Sequence, residues 1–567
     1  MTNTILTTLS PQRLKQHYEE GFWQSDTIYM LARKNAQAHP DHYALRDRYR
    51  RLTFAQAVEA ADRLAAHLAA QGVRRGQRVA VWLSSRLETA IALLACSRNG
   101  YVCCPSLHRN HTVGEIGELM ERMRAAALVA EIGYGADADR HDVFALAEAQ
   151  KTMRAIYRVP ALAPGDAQHL PFGPLLATGA GAADATPFDT EPDTLVYLAF
   201  TSGTTGKPKG VMHSDNTLLA NARALAGDWS LGPGSVIYTL SPLSHNLGFG
   251  AMVAAFAVGA ELVVHDTQRG ESLAERLAET GATFMFGVPV HAIDLLKELR
   301  ERDAALVKTV KGFRISGAPV PQEVAAELLQ YGVVPQSGYG MTEACSHHYT
   351  LPTDDPKMII ETSGRSCPGY EIRIFTRDDP EKEAPVGEVG QIGGRGASLM
   401  LGYYDNQEAT EDSFNAQGWF MTGDLGWVDA EGYLRITGRK KDVIIRGGHN
   451  IYPAKIEALA GRHAAVERAA AVPVADERMG EKVCLVLMPR AGKLVDPMDM
   501  LAHLDATGLS KFDMPEYMVL VDDIPLTASG KILKRDLVDQ IKAGTLVPQP
   551  VRWAGPKASA AVAEAVQ

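Results

Sequence analysis

Residues 194–210 read TLVYLAFTSGTTGKPKG. The first seven, Thr194–Phe200, are apolar and β-prone and predict a buried strand. The next ten, Thr201–Gly210, hold four hydroxyls, three glycines and two lysines. A glycine-rich turn after a strand offers bare backbone N–H groups, short hydroxyl donors and cations at one point, which suits a polyphosphate. It is not the common P-loop, which ends in Gly-Lys-Ser/Thr; here Gly206-Lys207 runs into Pro208. The bland alternative is a surface loop with solubilising lysines, for which four hydroxyls among three glycines are unusual.

Outward from this stretch, helix and strand signals alternate. Residues 53–73 (TFAQAVEAADRLAAHLAAQGV) carry apolar residues at three- and four-residue spacing, with Thr53 as N-cap and Gly72 as stop. Arg78–Leu83 (RVAVWL) reads as a buried strand, and Leu262–Val264, Thr283–Phe286 and Gly312–Ser316 are strand-like with helical runs between. The expected fold is therefore α/β: a large N-terminal domain of layered, mainly parallel sheets. Residues 159–193, rich in Pro, Gly, Ala and Asp, read as a surface excursion. Residues 370–405 and 419–437 have short strands and Gly turns, a small, more antiparallel β unit. Composition changes after Gly438, where Pro453–Arg462 is helix-like and Val483–Met488 strand-like. The expected organisation is 1–437 as N-terminal domain, 438–550 as a small mobile α+β domain, and 551–567 as a loose tail.

Bulk properties narrow the function. A chain of 567 residues exceeds one ordinary core, so two or more domains are expected. With 46% hydrophobic and 22% charged residues the composition is that of a soluble globular protein. A formal charge of −10 argues against a nucleic-acid surface. Six scattered cysteines without a Cys-x-x-Cys pair argue against a disulfide framework and a zinc site, and fit a reducing, cytoplasmic location. The N-terminus lacks a signal-peptide layout. The longest apolar stretch, Gly250–Val264, is interrupted and too short for a transmembrane segment.

Further blocks carry chemistry. In Gln336–Glu343 (QSGYGMTE), Gly338 and Gly340 flank Tyr339, so that a flat ring can present a face beside bare backbone, as an adenine needs. Thr342 offers a hydroxyl and Glu343 a hard carboxylate suited to Mg²⁺ on phosphate oxygens. Taken alone, the block also reads as a strand–turn–helix junction. Asp424, in Thr422-Gly423-Asp424, can accept two ribose hydroxyls, although Asp in a turn is common. Gly447 and Gly448 let backbone approach a narrow ligand, or form a simple β-turn. Lys531 sits on a Gly turn in Pro525–Ile532 (PLTASGKI). A carboxylate attacking an anionic α-phosphate needs such a cation, which contributes on the order of 4 kcal/mol at about 4 Å and an effective dielectric near 20.

In order and wording these blocks resemble the adenylate-forming (AMP-binding) superfamily, acyl-CoA synthetase branch, from about residue 40 to about residue 540. Cyclohexanecarboxylate and medium-chain acid CoA ligases are the members it resembles. The resemblance implies ATP, Mg²⁺ and CoA as cofactor and co-substrates. It implies that Thr201, Ser202, Gly203, Thr204, Thr205, Gly206 and Lys209 hold the β- and γ-phosphates, with Thr201 and Glu343 at the metal. It assigns adenine and the α-phosphate to Gly338, Tyr339, Gly340, Met341 and Thr342, with Gly317, Ala318 and Pro319 as a second wall. Ribose falls to Asp424 and Arg439, the hinge to Lys441, the pantetheine tunnel to Gly447 and Gly448, and adenylation to Lys531. The family more often has Glu where His449 stands. Pro242–Phe249 (PLSHNLGF) corresponds to the family's acyl gate, with His245 as the gating residue. Gly250, Ala251, Ala254 and Ala255 floor a pocket or merely pack a helix, and Phe284–Pro289 forms another wall. Cys345, Ser346 and His347 line the site. No Arg or Lys sits in these stretches, which favours an apolar monoacid.

The expected function is activation of an apolar carboxylic acid to acyl-AMP and transfer to CoA by an acid–thiol ligase. The substrate class is a ring carboxylate or a medium-chain acid. Alternatives are loading of a carrier protein, luciferase-type oxygenation and a catalytically silent nucleotide-binding regulator. A homodimer is one option for the assembly.

Overall fold

The computed structural model describes residues 10–176, 188–189, 191–201, 208–268, 270–527 and 531–553. The chain divides into two compact units. The first comprises Met1–Arg373, Gly394–Phe420 and Gly432–Leu434; the second comprises Ile374–Gly393, Met421–Glu431 and Arg435–Gln567.

Two large sheets organise the first unit. The nine-stranded sheet runs, from one edge, Arg365–Ser366, Cys345–Tyr349, Val334–Met341, Gly312–Ile315, Phe284–Gly287, Val236–Thr239, Glu261–Val264, Tyr43–Arg46 and Arg51–Thr53. Its central strands pair in parallel. Parallel strands are buried on both faces and read as continuous apolar runs, which is why Phe284–Gly287 and Glu261–Val264 were legible. The seven-stranded sheet holds Arg78–Trp82, parallel to Val102–Cys104 and Ala125–Glu131. Leu195–Thr201 also lies in this sheet, parallel to Val102–Cys104. After the hydroxyl-rich block the chain does not enter a helix; it returns antiparallel as Lys209–Ser214.

Local chemistry explains the helices. Phe54–Ala70 starts at a capping box between Thr53 and Gln56, worth about 1 kcal/mol. Its chain leaves through Gly72 at φ +82°. Asn246–Val258 is apolar on most of its circumference and correspondingly buried. The apolar stretch Gly250–Val264 is thus the end of this helix followed by strand Glu261–Val264. Among the described residues no helix is long and apolar enough to cross a membrane. All six cysteines are free and buried.

The small β unit expected within 370–437 forms a four-stranded sheet, Tyr370–Phe375, Gly390–Gly396, Phe420–Val428 and Leu434–Arg439 in that order. The C-terminal part of the second unit is built on a long hairpin, Val466–Asp476 with Gly480–Pro489. Tyr517–Leu520 joins parallel to the latter strand. Helices Pro453–Ala460 and Pro497–Ala506 bury Ile456, Leu459, Leu501 and Leu504 in one core. Trp553 packs against the same core, and Val551 N–H donates to the Glu516 carbonyl over 2.8 Å.

Candidate active site

In the first unit Lys209, expected at the phosphates, and Glu343, expected at the metal, meet at one tyrosine. Thr201 ends its strand, and its hydroxyl donates to the Lys209 carbonyl over 3.4 Å. Lys209 Nζ lies 4.7 Å from the centre of the Tyr403 ring. The Tyr403 hydroxyl donates to Glu343 Oε1 over 2.9 Å. Lys209, Tyr403 and Glu343 thus form one contact chain, a cation on the ring face and a carboxylate at the hydroxyl. Ser202, Gly203, Thr204, Thr205 and Gly206 lie outside the described residues.

Met341 ends strand Val334–Met341, and Thr342 and Glu343 lie in the tight turn that leads to Cys345–Tyr349. The turn is clamped from two sides. Met400 N–H donates to the Glu343 carbonyl over 2.7 Å, and the Ser398 hydroxyl donates to the Ala344 carbonyl over 3.1 Å. From strand Lys209–Ser214, His213 Nε2 reaches the Thr342 carbonyl at 2.7 Å. A carbonyl can only accept, so Nε2 carries the proton and Nδ1 faces the Thr217 hydroxyl at 3.0 Å. Burial pushes His213 down to about 4, against the opposing pull of the Thr342 carbonyl, so the ring is neutral.

The glycines of this block answer to space. A Cβ on Gly340 would stand 2.3 Å from the Cys345 carbonyl oxygen. A Cβ on Gly338 would stand 2.3 Å from Cζ of Arg314. Tyr339 between them is 8% exposed and meets His347 edge-on, ring centres 4.9 Å apart. Its orientation is therefore set by packing. Gly317, after strand Gly312–Ile315, has φ +95° and begins the bend that carries Ala318 and Pro319.

The residues expected at the acid are also placed in this unit. His245 caps helix Asn246–Val258, its Nδ1 accepting from Leu247 N–H at 3.3 Å. Its ring centre lies 6.5 Å from that of His108, whose Nδ1 is 3.1 Å from the Ser244 hydroxyl. Burial, then the neighbouring His111, push His108 down to about 4. Ala251, Ala254 and Ala255 are core residues, whereas a Cβ on Gly250 would meet nothing within 4 Å. Of the four small residues, only Gly250 borders open space. Cys345 and His347 are buried, and Ser346 is tied to Asn221 through its backbone N–H and carbonyl.

The second unit holds the remaining residues. Thr422-Gly423-Asp424 lies inside strand Phe420–Val428 rather than in a free turn, with Gly423 at φ +75° kinking it. Asp424 Oδ1 is 3.4 Å from Arg439 Nε. Lys441 lies in the short 3-10 turn Lys440–Asp442. Gly447 and Gly448, at φ +57° and +85°, form the two-residue turn joining Ile444–Arg446 to His449–Ile451. His449 Nε2 lies 2.8 Å from Asp513 Oδ1, so it is anchored within this unit. Arg446 pairs with Glu516 beside it. Lys531 is bonded to Thr527 in both directions: its N–H donates to the Thr527 hydroxyl at 3.0 Å, and Thr527 N–H donates to its carbonyl at 2.7 Å.

Four residues at these positions were not singled out from sequence: His108, His213, Tyr403 and Arg314. A charge inside an apolar strand pattern, GFRIS at 312–316, was the available signal for Arg314. The other three contact the expected residues through chain reversals that no local pattern announces.

Residues 32–404 match the family described as AMP-binding enzyme, and residues 455–531 match the AMP-binding enzyme C-terminal domain. The chain is 31% identical over 534 residues to the medium-chain fatty-acid–CoA ligase of Escherichia coli (strain K12), covering 94% of this chain and 93% of that protein. It is 31% identical over 519 residues to the indoleacetate–CoA ligase of Aromatoleum aromaticum, covering 91% and 98%. Among solved structures it resembles ATP-bound MatB from Rhodopseudomonas palustris, with TM-score 0.79 and 26% identity over 91% of this chain and 99% of that one. It also resembles o-succinylbenzoate CoA synthetase (MenE) from Bacillus subtilis with its acyl-adenylate intermediate, with TM-score 0.77 and 25% identity over 90% and 98%. The chain belongs to the AMP-binding enzyme family, as an acid–thiol ligase that activates a carboxylic acid to acyl-AMP with ATP and forms the CoA thioester.

Proposed function

We propose that the acid is a ring carboxylate or medium-chain acid, and that its two half-reactions use the residues assigned above. The contact chain Lys209–Tyr403–Glu343 carries this reading, because it holds a cation and a hard carboxylate on one rigid ring. The relatives active on medium-chain fatty acids and on indoleacetate support an acid with an apolar body of this size.

In the first half-reaction Thr201 and Lys209, with Ser202, Thr204 and Thr205, bind the β- and γ-phosphates. Gly338, Tyr339, Gly340 and Met341, with Gly317, Ala318 and Pro319, seat the adenine, while Asp424 and Arg439 orient the ribose. Thr342 faces the α-phosphate and Lys531 offsets the charge that develops as the carboxylate attacks. Magnesium fits at Glu343. Among the described residues no group of three or more His, Cys, Asp or Glu could hold a metal, so Glu343 and Thr201 would share the ion with phosphate oxygens and water, as Mg²⁺ favours. When bound, the ion neutralises phosphate charge.

In the second half-reaction the CoA thiolate attacks the acyl carbonyl of acyl-AMP, the acyl–phosphate bond breaks, and AMP leaves as the thioester forms. Lys441 is the proposed hinge between a domain of residues 1–437 and one of 438–550. Turning there exchanges Lys531 for the Gly447–Gly448 hairpin, a gating step. His245, at the start of its helix, gates the acyl group. The free, buried thiols support a reducing compartment, and we place the enzyme in the cytoplasm.

The test is pyrophosphate release with ATP, Mg²⁺ and a panel of carboxylic acids, with and without CoA. Release with ring or medium-chain acids, increased by CoA, is expected. Release confined to short or long-chain acids would overturn the substrate class.

A further inference from the structure

Arg314 is the buried cation that the proposed reaction leaves unexplained. It lies on strand Gly312–Ile315 and is 0% exposed. Its Nη1 donates to Gln336 Oε1 at 3.1 Å and to the His348 carbonyl at 3.4 Å. Its Cζ lies 5.1 Å from the centre of the Tyr349 ring. Its Nε and Nη2 have no hydrogen-bond partner among the described residues.

The chain treats its other deeply buried arginines differently. Arg50 is paired with Asp47 and Glu88, and Arg86 with Glu88 and Glu131. Burying a guanidinium without a counterion is costly, so protein interiors pair such groups. The two orphaned nitrogens are also not a random pair. Nε and Nη2 form one edge of the planar guanidinium, the fork that receives a carboxylate bidentately. Arg51 uses this same edge on Glu261, with Nε and Nη2 each 2.8 Å from a carboxylate oxygen. Burial pulls Arg314 down to about 10, so it is still protonated at neutral pH.

Its position points to the acid. Gly338, one residue before Tyr339, gives up its side-chain space to the guanidinium. Along the strand, Gly312 and Arg314 point to one face of the sheet, and a Cβ on Gly312 would meet Trp229 and Phe284. Those two rings share a core with Phe249 and Val253 of helix Asn246–Val258, the helix that begins at His245. Phe313 and Ile315, on the opposite face, belong to another core. Arg314 is therefore on the side of the sheet where the proposed acyl gate and the wall Phe284–Pro289 lie. Gln336 Nε2, His347 Nε2 and Tyr370 OH are likewise buried without partners among the described residues.

We propose that Arg314 determines acid specificity: its Nε/Nη2 edge receives a second carboxylate at the far end of the substrate. The preferred acids are then dicarboxylates with an apolar spacer or ring, rather than plain monoacids. This rests on the acid–thiol ligase reading and sharpens its substrate class.

The experiment compares matched pairs, hexanoate with adipate, octanoate with suberate, and cyclohexanecarboxylate with cyclohexane-1,4-dicarboxylate. Wild type, Arg314→Met and Arg314→Lys are measured for pyrophosphate release and, separately, for thermal stabilisation by each acid. In wild type at least one dicarboxylate is expected to exceed its monoacid in kcat/KM. Arg314→Met is expected to lower that ratio about 10- to 100-fold, the effect of losing a charge-assisted hydrogen bond. Arg314→Lys keeps the charge without the fork and is expected to fall between. Wild type preferring the monoacid in every pair, or Arg314→Met losing both members equally, overturns the proposal. Silence of every acid in pyrophosphate release counts against the ligase reading alone. The stabilisation arm then decides Arg314: dicarboxylates stabilising wild type but not Arg314→Met support it, and equal or absent stabilisation overturns it.

Discussion

The Tyr403 hydroxyl donates to Glu343 Oε1 over 2.9 Å, while the face of the same ring lies 4.7 Å from Lys209 Nζ. Tyr403 follows strand Lys209–Ser214 as the outermost partner of the seven-stranded sheet, and Glu343 lies in a turn of the nine-stranded one. One side chain therefore ties the two sheets together at the expected metal position. Burial, then the Glu343 carboxylate, push the Tyr403 phenol up, so it stays a donor.

Tyr403→Phe removes this donor and keeps the ring under Lys209. The expected outcome is a loss of about 1.5–3 kcal/mol, or roughly 10- to 100-fold, in adenylation at limiting Mg²⁺. A titration of pyrophosphate release against Mg²⁺ checks it. A variant with an unchanged Mg²⁺ dependence would show that Tyr403 does not position Glu343.

Lys531→Ala separates the half-reactions. Acyl-AMP formation is expected to be lost, while thioester formation from supplied acyl-AMP persists. Both are read by chromatography of the products. Equal loss of the two activities would overturn the assignment of Lys531 to adenylation alone.

Asp424 and Arg439 lie 3.4 Å apart. If Asp424 accepts the ribose hydroxyls, Asp424→Ala raises KM for ATP about 10- to 100-fold with a smaller change in KM for the acid. Comparing ATP with 2′-deoxy-ATP in both proteins checks the assignment. Wild type that does not distinguish the two nucleotides contradicts it.

Buried neutral histidine makes stability depend on pH. His213 titrates at about 4 when folded against 6.5 ordinarily. Between these values the unfolded chain binds the extra proton, so stability falls as pH drops from about 6.5 towards 4, by on the order of 3 kcal/mol for this residue. Urea denaturation between about pH 4 and about pH 7, a range that takes in both values, reads the slope. Replacing His213 with Asn is expected to flatten it; an unaltered slope assigns the effect to other buried histidines.

Gly340→Ala places a methyl group 2.3 Å from the Cys345 carbonyl oxygen, and backbone cannot yield as a side-chain end can. The expected cost is about 1–3 kcal/mol, with adenylation lost because the turn carrying Thr342 and Glu343 shifts. Thermal unfolding and pyrophosphate release check the two effects. A variant of wild-type stability would show that the turn relaxes.

The sequence by itself determined the strand Leu195–Thr201, the helix begun at Thr53, the alternation that makes an α/β chain, and the small sheet within 370–437. These rest on periodicity and capping, which are local and therefore legible. The order of the motifs along the chain carries the family resemblance. Only the tertiary structure decided that Leu195–Thr201 pairs antiparallel with Lys209–Ser214, and that Thr422-Gly423-Asp424 lies within a strand. It alone brought Tyr403 to Glu343, sixty residues away, and His213 to Thr342, 129 residues away. The stretches read for the acid contain no cation; Arg314 comes to Gly338 because neighbouring strands of a parallel sheet place side by side what the chain separates by a helix. Such contacts are set by strand order and register, and no window of sequence encodes them.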